Sequence, residues 1–224
     1  MAVWLTYTLS DFLLFTPHTY YRLFELYNRA LWPLHLMAGA LGLALVGLMF
    51  RGGAGRVRAM AAILAVCWLW VAWAYLYQRY DTINWSARYI AIAFAVEAIL
   101  LIVCGIVLNR PVLGEDAASR IGMAVVVFAL FIQPLMAPLL GRPWAQMEIF
   151  GLAPDPTVAA TLGALVVMRR APWVLLIIPL LWCALTGLTL RAMQAPDALL
   201  MPAIAVLAIG LAIWRSASAR LGAR

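Results

Sequence analysis

Glu97 is the only charged side chain in the apolar run from Ile90 to Leu108, and no other long apolar run in the chain carries a charge near its middle. In a bilayer an ionisable group near the midplane costs roughly 2.5 kcal/mol or more, so by default it marks a functional site. The chemistry open to a carboxyl at that depth is cation binding or proton transfer. Counting from the nearest arginine boundary places other polar groups beside it. Glu97 is nine residues from Arg88 and Gln133 nine residues from Arg142, each about 13 Å in at the helical rise. His35 lies six residues from Arg29, and Thr186 five residues from Arg191. These spacings lead to the expectation of an outward-facing polar pocket in which Gln133, His35 and Thr186 complete the hydrogen bonds of Glu97. The structural alternative is a neutral Glu97 that only ties neighbouring helices together.

Asp155-Pro156-Thr157 is a second constellation. Asp before Pro reads as an N-cap followed by the first helical residue. The helix it starts, Thr157 to Met168, would rise only about 18 Å against a hydrocarbon core of roughly 30 Å. Its positive end is therefore expected either inside the membrane facing a cavity, with Asp155 in an ion or substrate site, or in an outer loop, with Asp155 as a plain cap. Gln133-Pro134 and Pro138 predict a kink in the helix that carries Gln133.

The elements that must position these groups are helices in a bilayer. With 67% hydrophobic and 11% charged residues and a mean hydropathy of +0.97, the chain lies far from the composition of soluble domains. The fold expected is all-α, a polytopic membrane helix bundle of about seven spans. Six runs are strong: Ala30 to Phe50, Val57 to Tyr77, Trp85 to Leu108, Ile121 to Leu140, Trp173 to Leu190 and Leu199 to Trp214. The seventh is the short Thr157 to Met168 helix, completed by a broken or re-entrant piece from Glu148 to Pro156. A seven-pass chain with its N-terminus outside places ten arginines on the cytoplasmic side and six outside, as the positive-inside rule asks. Six passes would misplace the arginine-bearing tail.

Ahead of the first span, Thr16-Pro17 reads as N-cap and first helical residue. Tyr20, Phe24 and Tyr27 then recur on one face, with Arg22, Glu25 and Arg29 on another at ion-pairing spacing. An interfacial amphipathic helix is expected, anchoring the first span or, in the alternative, docking a partner through Tyr20, Phe24 and Tyr27. The organisation is therefore residues 1–29 as an interfacial segment, 30–215 as the membrane domain and 216–224 as a cytoplasmic tail.

Several functions are excluded or weakened. The net charge of +7 comes from arginines at the ends of apolar runs, without the basic clusters and interleaved aromatics of nucleic-acid binding. All 16 basic residues are arginine, which rules out Schiff-base lysine chemistry. Two histidines, one of them outside the spans, argue against bis-histidine haem ligation. No Walker, HExxH or GxSxG motif and no metal-ligand cluster is present, so no cofactor and no metal is expected. Cys67, Cys104 and Cys183 have no CxxC spacing and read as packing residues. The first charge is Asp11, so Met1 to Phe15 does not read as a cleaved secretory signal.

Three stretches, TYTLSDFLLFTPHTYYRLFELYNRALWP from Thr6 to Pro33, YDTINWSARYIAIAFAVEAILL from Tyr80 to Leu101, and FGLAPDPTVAATLG from Phe150 to Gly163 followed by IPLLWCALTGLTLRAM from Ile178 to Met193, resemble an uncharacterised bacterial family of multi-pass membrane proteins, domain of unknown function family 6064. The resemblance covers nearly the whole chain. It implies a bacterial inner (plasma) membrane location and carries over no catalytic or binding residue. The leading expectation is a membrane protein that binds or moves a small solute, cation or proton around Glu97. The alternative is a non-catalytic accessory or scaffold subunit meeting another membrane protein or its own copies in the bilayer, and an enzyme is the weakest class.

Overall fold

The computed structural model describes residues 14–50, 55–108, 113–168 and 172–221, with 107–108 and those from 217 onward described by their backbone alone. Arg51, Arg110, Arg169, Arg170 and Arg224 of the topology argument, and most of the Met1 to Phe15 stretch, lie outside the described residues. The described residues are all-α apart from one isolated bridge, Leu113 to Met168.

Thr16 caps α1 (Pro17–Ala30), its hydroxyl accepting from the Thr19 amide at 3.2 Å, with Pro17 in the first turn. Glu25 pairs with Arg22 at 2.6 Å and Arg29 at 2.8 Å along one face. The chain then turns by 95° into α2 (Leu34–Phe50), because Pro33 has no amide hydrogen to continue the first helix. The expected span from Ala30 is therefore cut, and α2 is too short to qualify as a span by itself. α3 (Arg56–Trp70) follows and widens to a π-helix over Val71–Tyr77. A tight turn held by a two-pronged Arg88 to Asp81 pair, at 3.2 and 3.0 Å, leads into α4 (Ala87–Ile102) and its π continuation Val103–Leu108.

Asp116 caps α5 (Ala117–Val127). The helix widens over Phe128–Ile132, tightens to 3-10 form over Gln133–Leu135 at the expected proline, and ends as the short α6 (Met136–Leu139). α7 (Pro154–Val167) is followed by α8 (Val174–Ala192) and α9 (Leu200–Leu221). Every residue of α7 is buried, and it lies directly on α5. A Cβ on Gly163 would stand 2.6 Å from the Gly122 carbonyl oxygen, and one on Gly122 would stand 2.7 Å from that of Gly163. The two backbones touch, which only glycine allows.

Four helical stretches are long and apolar enough to cross a membrane: Arg56–Thr82, Ala87–Ile106, Ala117–Leu139 and Val174–Ala192; the bent α1–α2 pair makes up to five. The apolar helices Pro154–Val167 and Leu200–Ser216 are shorter. In chain order α2, α3, α4, α5 with α6, α7, α8 and α9 make seven helical stretches, of which α2, α7 and the Leu200–Ser216 part of α9 fall short of a span by length. Met168 at the far end of α7 bridges to Leu113 just before α5, whereas the start of α7 lies with the end of α6. A helix sheathed all round by protein meets no lipid and need not match the hydrocarbon thickness. The outer faces carry large exposed apolar side chains, including Leu36, Leu43, Phe50, Ile92, Ile99, Leu181, Leu188 and Val206. Such a girdle suits lipid rather than water.

Candidate functional site

Polar side chains gather at one end of the bundle, the end that carries α1. Arg142 leaves the end of α6 after a left-handed turn at Gly141, φ +77°, its amide donating to the Ala137 carbonyl at 2.8 Å. Its guanidinium reaches Asp197, in the turn between α8 and α9, at 3.2 Å. The same group lies 4.2 Å above the Tyr21 ring of α1, a cation–π contact. Around the adjoining space stand Gln133, Glu148, Asp155 and Asp197 with Met136, Leu190, Leu200 and Met201. The space is partly open and about 10 Å³, the size of a single water.

Asp155 holds the centre, and not as the expected cap. Ala153 occupies the N-cap position with Pro154 in the first turn, so Asp155 sits inside the helix. Its carboxylate accepts from the Trp182 indole at 2.7 Å and from the Thr186 hydroxyl at 3.2 Å, both on α8. Pro154 and Pro156 lack the amide hydrogens that would hold an aspartate on its own helix end, which leaves the carboxylate to face its neighbours. Thr157 secures the turn instead, donating to the Ala153 carbonyl at 2.7 Å and accepting from the Gly151 amide at 2.9 Å.

Glu148 belongs to the segment between α6 and α7 and interacts electrostatically with Asp155, Arg142 and Asp197. Asn28 of α1 holds that segment in place, its amide donating to the Ala145 and Met147 carbonyls at 2.9 and 2.8 Å. Those two bonds fix which end of the amide is the oxygen; since an amide oxygen only accepts, His35 Nε2, 3.3 Å away, is the donor. His35 thus braces the site from behind and does not line it.

Three atoms at the cavity are idle. Arg142 Nη1, Asp197 Oδ1 and Gln133 Oε1 are buried without a hydrogen-bond partner among the described residues. Gln133 is 5% exposed and uses only its amide nitrogen, on the Met201 sulfur at 3.6 Å. Buried polar atoms are rarely left so.

Glu97 stands apart from this cavity. It is fully buried on α4, and neither carboxylate oxygen has a partner among the described residues. One turn away, Phe94 packs on Trp68 at 4.3 Å and on Trp182 at 5.2 Å. Those rings stand between the α3–α4 pair and Asp155. Of the partners expected for Glu97, Gln133 and Thr186 lie instead with Asp155 of the second constellation, His35 is one residue removed, and Glu97 is separate. Residue depth along a helix fixes height but not azimuth, which is where the grouping goes astray.

Tyr20, Phe24 and Tyr27 also lie elsewhere than a docking face. All three are buried within the chain. Phe24 stacks on Tyr75 at 5.0 Å, Tyr20 meets Tyr80 at 6.1 Å, and Tyr27 meets Tyr75 at 5.4 Å and accepts from the Trp70 indole at 3.2 Å. The aromatic stripe is the inner face of a packed helix.

At the opposite end Arg215 of α9 pairs with Asp116, donates to the Ser119 hydroxyl at 2.6 Å and caps the last carbonyls of α7 at Val166 and Met168. The guanidinium holds the Asp116 carboxyl well below the usual carboxylate range, against the opposing effect of desolvation. Among the described residues no group of three His, Cys, Asp or Glu side chains stands at metal-holding distances. Cys67 and Cys183 are buried packing residues and Cys104 is half-buried.

No curated protein and no solved structure matches the chain. The sequence profile of one family does, over residues 17–223, a stretch that takes in all of the described helices, the cavity and the Arg215 clamp. By that match the chain belongs to the family of unknown function DUF6064.

Proposed function

We propose that this DUF6064 protein is a multi-pass membrane protein that binds a proton at the cavity of Glu148, Asp155 and Asp197 and passes it on. One observation carries the reading: three carboxylates face a single guanidinium around a space the size of one water. Fully ionised, that set would be doubly negative in a largely water-free setting. Carboxylates sharing a site do not all ionise together, and holding a proton is the least costly way to remove the excess charge. A space of about 10 Å³ is close to that of one water, which favours a proton over an organic solute. The Trp182 and Thr186 hydrogen bonds hold Asp155 in position, while Glu97 lies beyond the aromatic partition as a separate buried acid.

In this reading the chain lies in a bacterial inner membrane with the cavity end outside and the arginine-rich end in the cytoplasm, following the ten-to-six division of arginines. The accessory-subunit alternative loses its named surface, because Tyr20, Phe24 and Tyr27 face inward. The test is proton movement in liposomes that hold the purified chain and an entrapped pH dye, after an imposed potential. Asp155→Asn and Glu148→Gln should each slow acidification at least tenfold. Unchanged rates in both, with the protein inserted and folded, sink the proposal.

A further inference from the structure

We propose that Arg142 makes the cavity proton-selective by acting as a tethered cation that keeps metal cations out. The inference rests on the proton-site reading and names what sets its specificity. Arg142 is only half engaged. A guanidinium facing a carboxylate commonly makes two parallel hydrogen bonds; here Nη2 meets Asp197 Oδ2 at 3.2 Å, while Nη1 and Asp197 Oδ1 are both buried and idle. The Tyr21 ring below and Asp197 to one side fix the group in place. Its free edge belongs to the same space that Glu148, Asp155 and Gln133 line.

Without that positive charge the lining is a set of hard oxygen donors: three carboxylates and the idle Gln133 carbonyl oxygen. Oxygen sets of this kind suit small hard cations such as calcium, magnesium or sodium. With Arg142 in place, an entering metal ion would meet a fixed guanidinium within the same few ångströms, and like charges so close oppose one another strongly when water is scarce. A proton meets the same opposing field, but it sits on a single carboxylate oxygen and needs no shell of six or more ligands, so a guanidinium that already occupies Asp197 and the shared space hinders it far less than a metal ion. The arginine therefore discriminates by holding coordination space and ligands that a metal ion needs and a proton does not.

The test is thermal unfolding of the full-length chain in detergent, above the ordinary carboxylate titration range, with sodium, potassium, magnesium and calcium chlorides compared at equal ionic strength against choline chloride. The wild type and Arg142→Lys should show no ion-specific shift. Arg142→Met and Arg142→Gln should show a saturable rise of roughly 5–10 °C with at least one metal at hundredfold excess over its Kd, and adding Asp155→Asn should remove it. An ion-specific rise in the wild type as large as in Arg142→Met overturns the proposal, as does its absence in both neutral variants. Should neither neutral variant fold, Asp197→Asn, which keeps the arginine charge, decides: it should remain blind to metal ions, and a metal-specific rise there overturns the idea. Failure of the proton reading shows separately, as unchanged proton movement in Asp155→Asn and Glu148→Gln.

Discussion

Asp155 serves two purposes that substitution can separate. Asparagine keeps an oxygen for the Trp182 indole and an amide that can donate to the Thr186 hydroxyl, so Asp155→Asn should cost the fold little while removing the ionisable group. Leucine strands the buried indole hydrogen, and a buried donor without a partner costs about 1–3 kcal/mol. The unfolding midpoint of Asp155→Leu should therefore fall clearly below that of Asp155→Asn; equal midpoints would mean that Trp182 does not depend on the carboxylate. Glu97 calls for the opposite outcome. With both oxygens idle, an apolar side chain of similar volume relieves a desolvated polar group, and such replacements are commonly neutral or stabilising. Glu97→Leu should hold or raise the midpoint, whereas a drop of more than about 1 kcal/mol would reveal a partner for Glu97 in the bilayer. The isolation of Glu97 is plain from the sequence. Its partners are not, because neighbours across a bundle depend on how each helix is rotated about its axis. Arg142 and Asp197 escape notice for a related reason: an arginine at the end of an apolar run looks like a topology marker until its guanidinium is seen turned inward.

Helices are where the sequence is most legible. Most expected boundaries fall within about a turn of those found, since apolar runs ended by Arg, Pro or Asn leave little choice in a bilayer. Helix α9 runs on past the expected Trp214 to Leu221, and the other departures arise from prolines. Pro33 divides the first span from α1, and Pro134 turns the carrier of Gln133 into π and 3-10 segments, placing its side chain at the cavity. Pro154 starts α7 earlier than the Asp-Pro pair implies. Alanine-rich α7, buried along its whole length, also looks too short to span because length is judged against lipid and this helix touches none. Its packing on α5 makes a sharp prediction. A methyl group at Gly163 meets the Gly122 oxygen at 2.6 Å and the Val126 amide nitrogen at 3.0 Å, both backbone atoms that cannot swing aside. Gly163→Ala should destabilise by about 1–3 kcal/mol, the usual range for overpacking, whereas Gly47→Ala, with open space around its Cβ, should change little. Equal effects in thermal unfolding would contradict the close α5–α7 contact.

At the scale of the whole molecule, two arginines hold α9 against the α5–α6 unit, one at each end: Arg142 to Asp197 and Arg215 to Asp116. The second pair has a pH signature. Since Asp116 titrates lower in the folded chain than when unfolded, its contribution is complete above the ordinary carboxylate value, near pH 4. It is lost progressively as pH falls from there toward the folded value. Arg215→Gln should lower the midpoint at neutral pH and flatten its fall under acid, by a modest amount because the carboxylate is 39% exposed. The same two ends frame the question of how often the chain crosses. By length alone four helical stretches qualify, or five with the bent pair; the expected seven passes require the shorter α7 and α9 to cross as well, which α7 can do only because it is sheathed by protein. Trp144, before α7, is 63% exposed and Trp173, after it, 53%, so a single cysteine at either position, in a chain whose own cysteines are replaced by alanine, is open to a membrane-impermeant reagent. If α7 carries the chain across, Trp144→Cys is labelled from outside in intact cells and Trp173→Cys only after the membrane is breached. If α7 dips and returns, both are labelled from one face, and the proposed sidedness of Arg215 and the tail reverses with them.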